Sequence, residues 1–231
     1  VPEPYASMFD PARIDLPANV GRRSEGEPPG RRRGIAAQMA EGVSLEQWRK
    51  VWAAHLGLVR MADDVLGRVL ETLGALGERE NTIVAFTSDH GDHLGQHNLY
   101  QKMEMHEQAL RVPLVMAGPG IRPLRCGTPV SHLDLMPTVL ELLGLEHPTG
   151  LDGISLAPAL AGDAAVPDRP IFAQYSGNPT LGDIRRCVIR GNQKYIYDPR
   201  DKAELFDLAE DPEEMRNLAD LPEHQALLGE L

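Results

Sequence analysis

The sequence predicts an α/β chain, with a mainly parallel sheet and flanking helices over residues 1–165 and a small antiparallel β unit with a helix over residues 166–231. Three observations carry that expectation. A long amphipathic helical pattern precedes two short apolar runs, a second helical pattern follows the second run, and the last third turns to β-branched and aromatic residues around tight-turn signals. At 231 residues, 42% apolar and 25% charged, the chain can bury one substantial core.

Residues 1–43 are rich in Pro, Gly and Arg and read as an extended surface segment, with Arg31, Arg32 and Arg33 as a solvated charge run. Ser44 and Gln47 then form a capping box. Leu45, Trp48, Trp52, Leu56, Val59, Ala62, Leu66, Val69, Leu73 and Leu76 recur at helical spacing, so a long helix is expected to end near Gly77. Asp63 and Asp64 lie within it at positions about 100° apart, and are read as structural charges of its polar face. Thr82–Thr87 reads as a buried strand that delivers polar residues at its carboxyl end, where open α/β sheets keep their sites. Val112–Ala117 reads as a second buried strand, closed by Gly118-Pro119-Gly120. A helix follows from Leu133 to Leu143, with Ser131 and Asp134 spaced as its capping box, and the strand-helix alternation favours parallel strands. Beyond Pro167, Arg186–Arg190 and Gln193–Tyr197 form a hairpin about Gly191-Asn192, Leu205–Leu208 adds a strand, and Asp211–Asn217 reads as a capped helical turn.

Composition excludes several functions. Thirty-four acidic against 23 basic side chains give a net charge of −11, a field that repels phosphate backbones, so no nucleic acid partner is expected. An anionic substrate would need a local cluster of metal and basic groups to overcome that field. Cys126 and Cys187 stand alone, which excludes a zinc ribbon and a disulfide-dense scaffold but leaves one disulfide open. The apolar run Val139–Leu145 is broken by Glu141 and Gly144, far short of the ~20 residues of a bilayer span, so no membrane helix is expected. Val1-Pro-Glu-Pro4 lacks a basic start and an apolar targeting stretch, and localisation, cytoplasmic or periplasmic/secreted, stays open.

The densest polar stretch, Ser88 to Lys102, places three His, two Asp and one Lys on a Gly-punctuated loop directly after the first strand. Carboxylate oxygen and neutral imidazole nitrogen are ligands for divalent metals, and Asp89 with His90 is the natural first pair. A hydrated surface loop has the same composition, and composition leaves both readings open.

Thr87-Ser-Asp-His-Gly-Asp-His-Leu-Gly-Gln-His-Asn-Leu-Tyr-Gln-Lys102 with Glu107-Gln-Ala-Leu-Arg-Val-Pro-Leu114 resembles the second signature region of type I sulfatases, within the alkaline phosphatase superfamily. Val1–Tyr5 with Ser7–Pro11, Ser131–Thr138, Gly150–Leu156, and Glu204–Leu208 leading to Asp211-Pro212 and Asn217-Leu218 occur in similar order in bacterial sulfatases. The resemblance implies part of an alkaline-phosphatase-like sandwich. It further implies Asp89 and His90 as ligands of a divalent cation, most often calcium, with manganese and magnesium left open, and Lys102 as a contact to sulfate oxygens. It implies His97, with weaker support, as a pocket residue that protonates the leaving alkoxide or hydrogen-bonds an oxygen. His93 and His106 depart from the pattern and are read as structural or surface residues; Glu107 and Arg111 match it but suit a helical ion pair.

The family's nucleophile is a formylglycine made within a Cys/Ser-x-Pro/Ala-x-Arg motif near the amino terminus, accompanied by an early aspartate pair. Cys126-Gly-Thr-Pro-Val130 and Cys187-Val-Ile-Arg190 both depart from the motif, so this chain encodes neither. The resemblance begins midway through the usual family chain, an amino-terminal portion is expected to be missing, and the chain alone is expected not to turn over sulfate esters. The expected function is that of a sulfatase-like hydrolase of a small anionic sulfate ester, with choline, aryl and carbohydrate sulfates all open. The alternatives are a phosphonate monoester or phosphodiester hydrolase of the same superfamily and a non-catalytic remnant. Exposed sheet edges and apolar faces are expected to drive homo-oligomer formation or poor solubility.

Overall fold

The computed structural model describes residues 1–177 and 184–224. Two 3₁₀ turns, Pro11–Arg13 and Pro29–Arg33, lead into a short helix α1 (Ile35–Ala40) and the long helix α2 (Leu45–Ala75). Strand β1 (Val84–Thr87) is followed by a miniature hairpin of β2 (His93–Leu94) and β3 (Tyr100–Gln101), a one-turn helix α3 (Glu107–Leu110) and strand β4 (Leu114–Ala117). Helices α4 (Leu135–Leu142) and α5 (Ala157–Ala161) precede β5 (Ile171–Ser176), β6 (Ile184–Arg190), β7 (Gln193–Tyr197) and β8 (Glu204–Asp207), an antiparallel meander in sequence order.

Local sequence accounts for the helix starts. Ser44 Oγ accepts from the Gln47 N–H at 3.2 Å while Gln47 Oε1 accepts from the Ser44 N–H at 2.8 Å, the reciprocal box expected for α2. Ser131 and Asp134 close the same box ahead of α4. In α2 the apolar stripe is used unevenly. Of its residues Trp48 is buried whereas Leu45, Val59 and Val69 stand exposed, and the other buried positions of the helix, Ala53 and Gly57, lie off the stripe. No helix among the described residues is long and apolar enough to cross a membrane.

The parallel sheet is corrected. β1 pairs antiparallel with β4, Val84 opposite Ala117 and Thr87 opposite Leu114, and the named strands of the described residues form antiparallel sheets only. The physical reason is the connection. A parallel return needs a crossover to the starting end of the sheet, and residues 88–113 hold only a small hairpin and one helical turn. β1 is also half exposed rather than buried, with Phe86 and Val115 open to solvent. The carboxyl-terminal meander is as expected, Arg190 opposite Gln193 across the Gly191-Asn192 turn, with β5 as an added edge strand. The expected helical turn at Asp211 stops after one turn, because Glu214 takes φ 55° and Arg216 bridges to Glu25.

The first 43 residues are not simply an extended surface segment. Ala36, Ala37 and Ala40 of α1 are buried, and Arg31, expected to be solvated, is 3% exposed. Arg31 pairs with Glu204 and, at 3.4 Å, with Glu104. Burial works against its charge, but the two carboxylates outweigh burial and raise its pKa. Asn217 ties the same segment to β8, donating to the Gly26 carbonyl at 3.1 Å and accepting from the Leu205 N–H at 3.0 Å.

Three apolar clusters converge on the loop after β1. Val20, Ala40 and Trp48 meet Tyr100; Ala36 and Ala37 meet Leu99; and Met105 joins Cys187, Ile196 and Phe206 of the meander. The segment from Leu94 to Met105 is therefore gripped by helices on one side and the meander on the other. Its tightest point is Gly95 at φ 97°, where an added Cβ would lie 2.7 Å from the Trp48 ring and 2.9 Å from Val20. Gly95→Ala is expected to cost about 2–4 kcal/mol, combining overpacking with a left-handed backbone, measured as a lowered urea midpoint.

Candidate active site

β1 ends at Thr87 and hands the chain to Ser88-Asp89-His90-Gly91 at one end of the β1–β4 pair. Asp89 Oδ1 accepts from the His90 N–H at 3.0 Å, and Ser88 Oγ donates to the His90 carbonyl at 2.9 Å. The His90 N–H, with a smaller contribution from the Lys102 charge, holds the Asp89 carboxyl below the usual carboxylate range. Gly91 has no room for a side chain, because the Gln108 carbonyl fills the place a Cβ would take, so α3 packs directly under the loop.

His90 Nδ1 lies 2.8 Å from the Gly91 carbonyl. A carbonyl only accepts, so Nδ1 carries the hydrogen and the neutral ring leaves its lone pair on Nε2. That lone pair faces Lys102 Nζ at 2.6 Å and lies 3.4 Å from Asp89 Oδ2. Three of the four sequence-expected groups thus meet around His90 Nε2, with the Lys102 ammonium on one side and the Asp89 carboxylate on another. They open onto a concavity of about 2090 Å³ lined further by Leu114–Ala117, Phe172, Tyr175, Arg186 and the 122–132 segment. Its size, beyond the ~1,000 Å³ of a large ligand pocket, makes it an open trough.

The donor pair offers two ligands of a cation shell, one oxygen and one nitrogen. Two adjacent ligands about 90° apart on bonds of ~2.4 Å are separated by ~3.4 Å, which matches the Asp89–His90 spacing. Calcium takes about 6–8 ligands. Among the described residues, however, no group of three or more His, Cys, Asp or Glu is arranged to hold a metal.

His97 is not brought to this face. It is fully buried, its ring stacked on His106 at 3.9 Å between centroids and edge-on to His93 at 6.0 Å, and neither ring nitrogen has a hydrogen-bond partner. His93 and His106 complete the cluster, structural as the sequence suggested. His93 Nδ1 donates to the Gln101 carbonyl at 2.7 Å, and its Nε2 lies 3.3 Å from His106 Nδ1. Burial lowers the pKa of all three, His93 to about 4 and the other two further.

The helical pair Glu107–Arg111 does not form, because α3 is a single turn. Glu107 instead pairs at 3.1 Å with Lys194, whose ammonium is fully buried and 2.7 Å from Glu214. Burial opposes the Lys194 charge, but Glu214 and Glu107 outweigh it and raise its pKa, while burial pushes Glu214 up to about 7. Sequence reading missed Arg31, Glu104, Lys194 and Glu214 as buried charges, since a charge destined for the interior carries no local mark. Glu204 stood inside a segment already singled out. Asp63 and Asp64 are structural, pairing with Arg60, and both cysteines are free thiols.

Comparison with known proteins places the chain in the alkaline phosphatase superfamily. The family model for sulfatases matches residues 4–145, and the model for the carboxyl-terminal part of N-sulphoglucosamine sulphohydrolase matches residues 95–231. The chain belongs to the sulfatase family. It is 36% identical over 183 residues to a choline-sulfatase of Rhizobium meliloti, covering 78% of this chain and 35% of that protein. It is also 36% identical over 220 residues to the multifunctional alkaline phosphatase superfamily protein PehA of Trinickia caryophylli, covering 85% and 42%. The chain thus spans less than half the length of these relatives. Among solved structures it is similar to the phosphonate monoester hydrolase of Silicibacter pomeroyi, with TM-score 0.82 and 27% identity over 99% of this chain and 51% of that one.

Proposed function

We propose that this chain supplies the metal-binding half and the anion-binding lysine of a sulfuric ester hydrolase. The observation that supports the reading is the convergence of Asp89 Oδ2, His90 Nε2 and Lys102 Nζ at the mouth of the trough. Asp89 and His90 would hold a divalent cation, calcium foremost with manganese and magnesium as alternatives; when bound, such an ion polarises the ester oxygens and orients the group. The Gly91 carbonyl keeps the His90 hydrogen on Nδ1 and so keeps Nε2 free as a donor atom. The same lone pair cannot serve an ammonium and a cation at once, so with a cation held by Asp89 and His90 the Lys102 Nζ would be free to face the sulfuryl oxygens as a compact point charge. The nucleophile would be a formylglycine, whose motif this chain does not contain. In this reading His97 packs the loop and takes no part in proton transfer.

Calorimetric titration with calcium chloride or manganese chloride tests the half-shell. Weak binding is expected, reduced at least about tenfold in Asp89→Ala by loss of the charged ligand. Identical titrations for the two chains would favour a non-catalytic remnant.

The likeness to a phosphonate monoester hydrolase over nearly the whole chain supports a second reading, phosphonate or phosphodiester hydrolysis at the same site. Nitrophenyl sulfate and nitrophenyl phosphonate, assayed side by side with the family's formylglycine segment present, separate the two. Faster phosphonate turnover would put phosphonate hydrolysis first and sulfate hydrolysis second. The exposed apolar residues Phe86, Val115, Val65 and Val69 also support self-association, which a monodisperse monomer in sedimentation would oppose.

A further inference from the structure

We propose that Lys102 is held in place by a two-sided backbone clamp, with His93 and Arg185 as its positioning residues. His93 Nδ1 grips the carbonyl of Gln101, the residue before the lysine, at 2.7 Å. Arg185 Nη1 grips the carbonyl of Met103, the residue after it, at 3.1 Å. Between these anchors the lysine side chain is exposed, and its hydrogen bond runs to His90. A long flexible stem with so little hold of its own points where its backbone points.

The backbone needs the restraint. Gln101 sits at φ 70°, a left-handed conformation that a non-glycine residue adopts at a cost and keeps when its surroundings over-determine it. Both anchors are themselves fixed. The Gln101 carbonyl can only accept, so the His93 hydrogen is on Nδ1 and its Nε2 accepts from His106 Nδ1 at 3.3 Å. His106 is itself fully buried, its ring stacked on His97 at 3.9 Å between centroids and tilted against Phe206 at 6.1 Å. Arg185 lies 3.4 Å from Glu104 and 3.6 Å from Asp198, with its guanidinium 5.8 Å from the centre of the Tyr175 ring. His93 belongs to β2 and Arg185 to β6, so the aim of the lysine is set jointly by the site loop and by the carboxyl-terminal meander. That the clamp serves anion binding rests on the proposed role of Lys102 in holding the sulfuryl group; the clamp itself does not.

The four lysines, Lys50, Lys102, Lys194 and Lys202, make a self-controlled test. Trace acetylation of the folded chain followed by peptide mass spectrometry gives the reactivity of each. Lys50 on α2 is an exposed reference, and Lys194, fully buried, reacts only when the chain opens. Arg185→Met and His93→Phe are expected to raise Lys102 labelling relative to Lys50 about fivefold with Lys194 silent, whereas Arg185→Lys and His93→Asn, which keep a donor, stay within about twofold of the parent. A Lys102 ratio unchanged in Arg185→Met, or rising only in step with Lys194, overturns the clamp. Should His93→Phe label at Lys194, its fold is lost and the two Arg185 variants alone decide the test. Inorganic sulfate with calcium tests the anion-binding role separately. A clamp signal without sulfate protection of Lys102 removes that role and leaves the clamp, and protection without a clamp signal does the reverse.

Discussion

Acidifying the protein from about pH 7.5 to about pH 5 is expected to remove about 2 kcal/mol of folding free energy for each of His93, His97 and His106. All three are neutral when folded because burial disfavours their charged forms, and each regains an ordinary pKa near 6.5 on unfolding. Their folded values are depressed, so their stabilising contribution is complete above pH 6.5 and is lost as pH falls from there towards the folded values, about 4 for His93. Arg31, Arg185 and Lys194 around the cluster reinforce this by repelling further positive charge, while Glu204 faces it and works the other way. Glu214, raised to about 7, also opposes it, since that group favours the folded state at low pH and loses the effect as pH rises from 4.5 to 7. A single substitution isolates the histidine contribution. In His97→Met the fall in stability between the two pH values should shrink by about 2 kcal/mol, whatever cavity or strain the change introduces, because those costs are common to both conditions. Denaturant titrations of both chains at each pH give the number. Equal falls would mean that His97 takes up no extra proton on unfolding and is not sealed in the interior.

Asp134→Ala should destabilise the chain by about 3–5 kcal/mol, the range for removing one partner from a buried charged pair. The Asp134 carboxylate is fully buried and carries three attachments. Its oxygens accept from the Ser131 N–H at 2.8 Å, from the Ile154 N–H at 2.9 Å, and from Arg169 Nη2 at 2.5 and 2.6 Å. Truncation strands two backbone donors and a guanidinium at once. It also frees the start of α4 from the 150–156 segment, which Thr138 otherwise pins by accepting from the Leu156 N–H at 2.8 Å. Because Ser131, His132, Leu133 and Asp152 line the trough, loss of this knot should loosen that part of its wall as well. Asp134→Asn keeps the shape but only one accepting oxygen, and should cost about 1–3 kcal/mol. Urea midpoints of the two variants check both numbers, and a loss below about 1 kcal/mol for the alanine variant would show that the carboxylate's partners find water or each other.

The amino-acid order alone determined what depends on neighbours along the chain. The reciprocal caps at Ser44 and Ser131, the hairpin about Gly191-Asn192, and a polar loop emerging from a β-branched run are all satisfied by contacts within a few residues, so their signals are complete in short windows. Asp89 and His90 were legible as a pair because they are adjacent, whereas Lys102 was expected only from the resemblance to sulfatases, and the short β2–β3 hairpin folds it back onto His90. Tertiary structure alone decided the rest. The direction of β4 relative to β1 was set by the fold of the connection, a small hairpin and one helical turn packed at one end of the pair instead of a crossover helix. Burial of Arg31 was set by two carboxylates 73 and 173 positions away. His97 shares a loop and a residue type with His90, yet Trp48, Leu99 and the meander fold around that part of the loop and leave it in the interior. Sequence fixes which groups a segment offers, but whether a group meets solvent, a cation or another ring depends on the free energy of packing distant segments together, which no local pattern encodes.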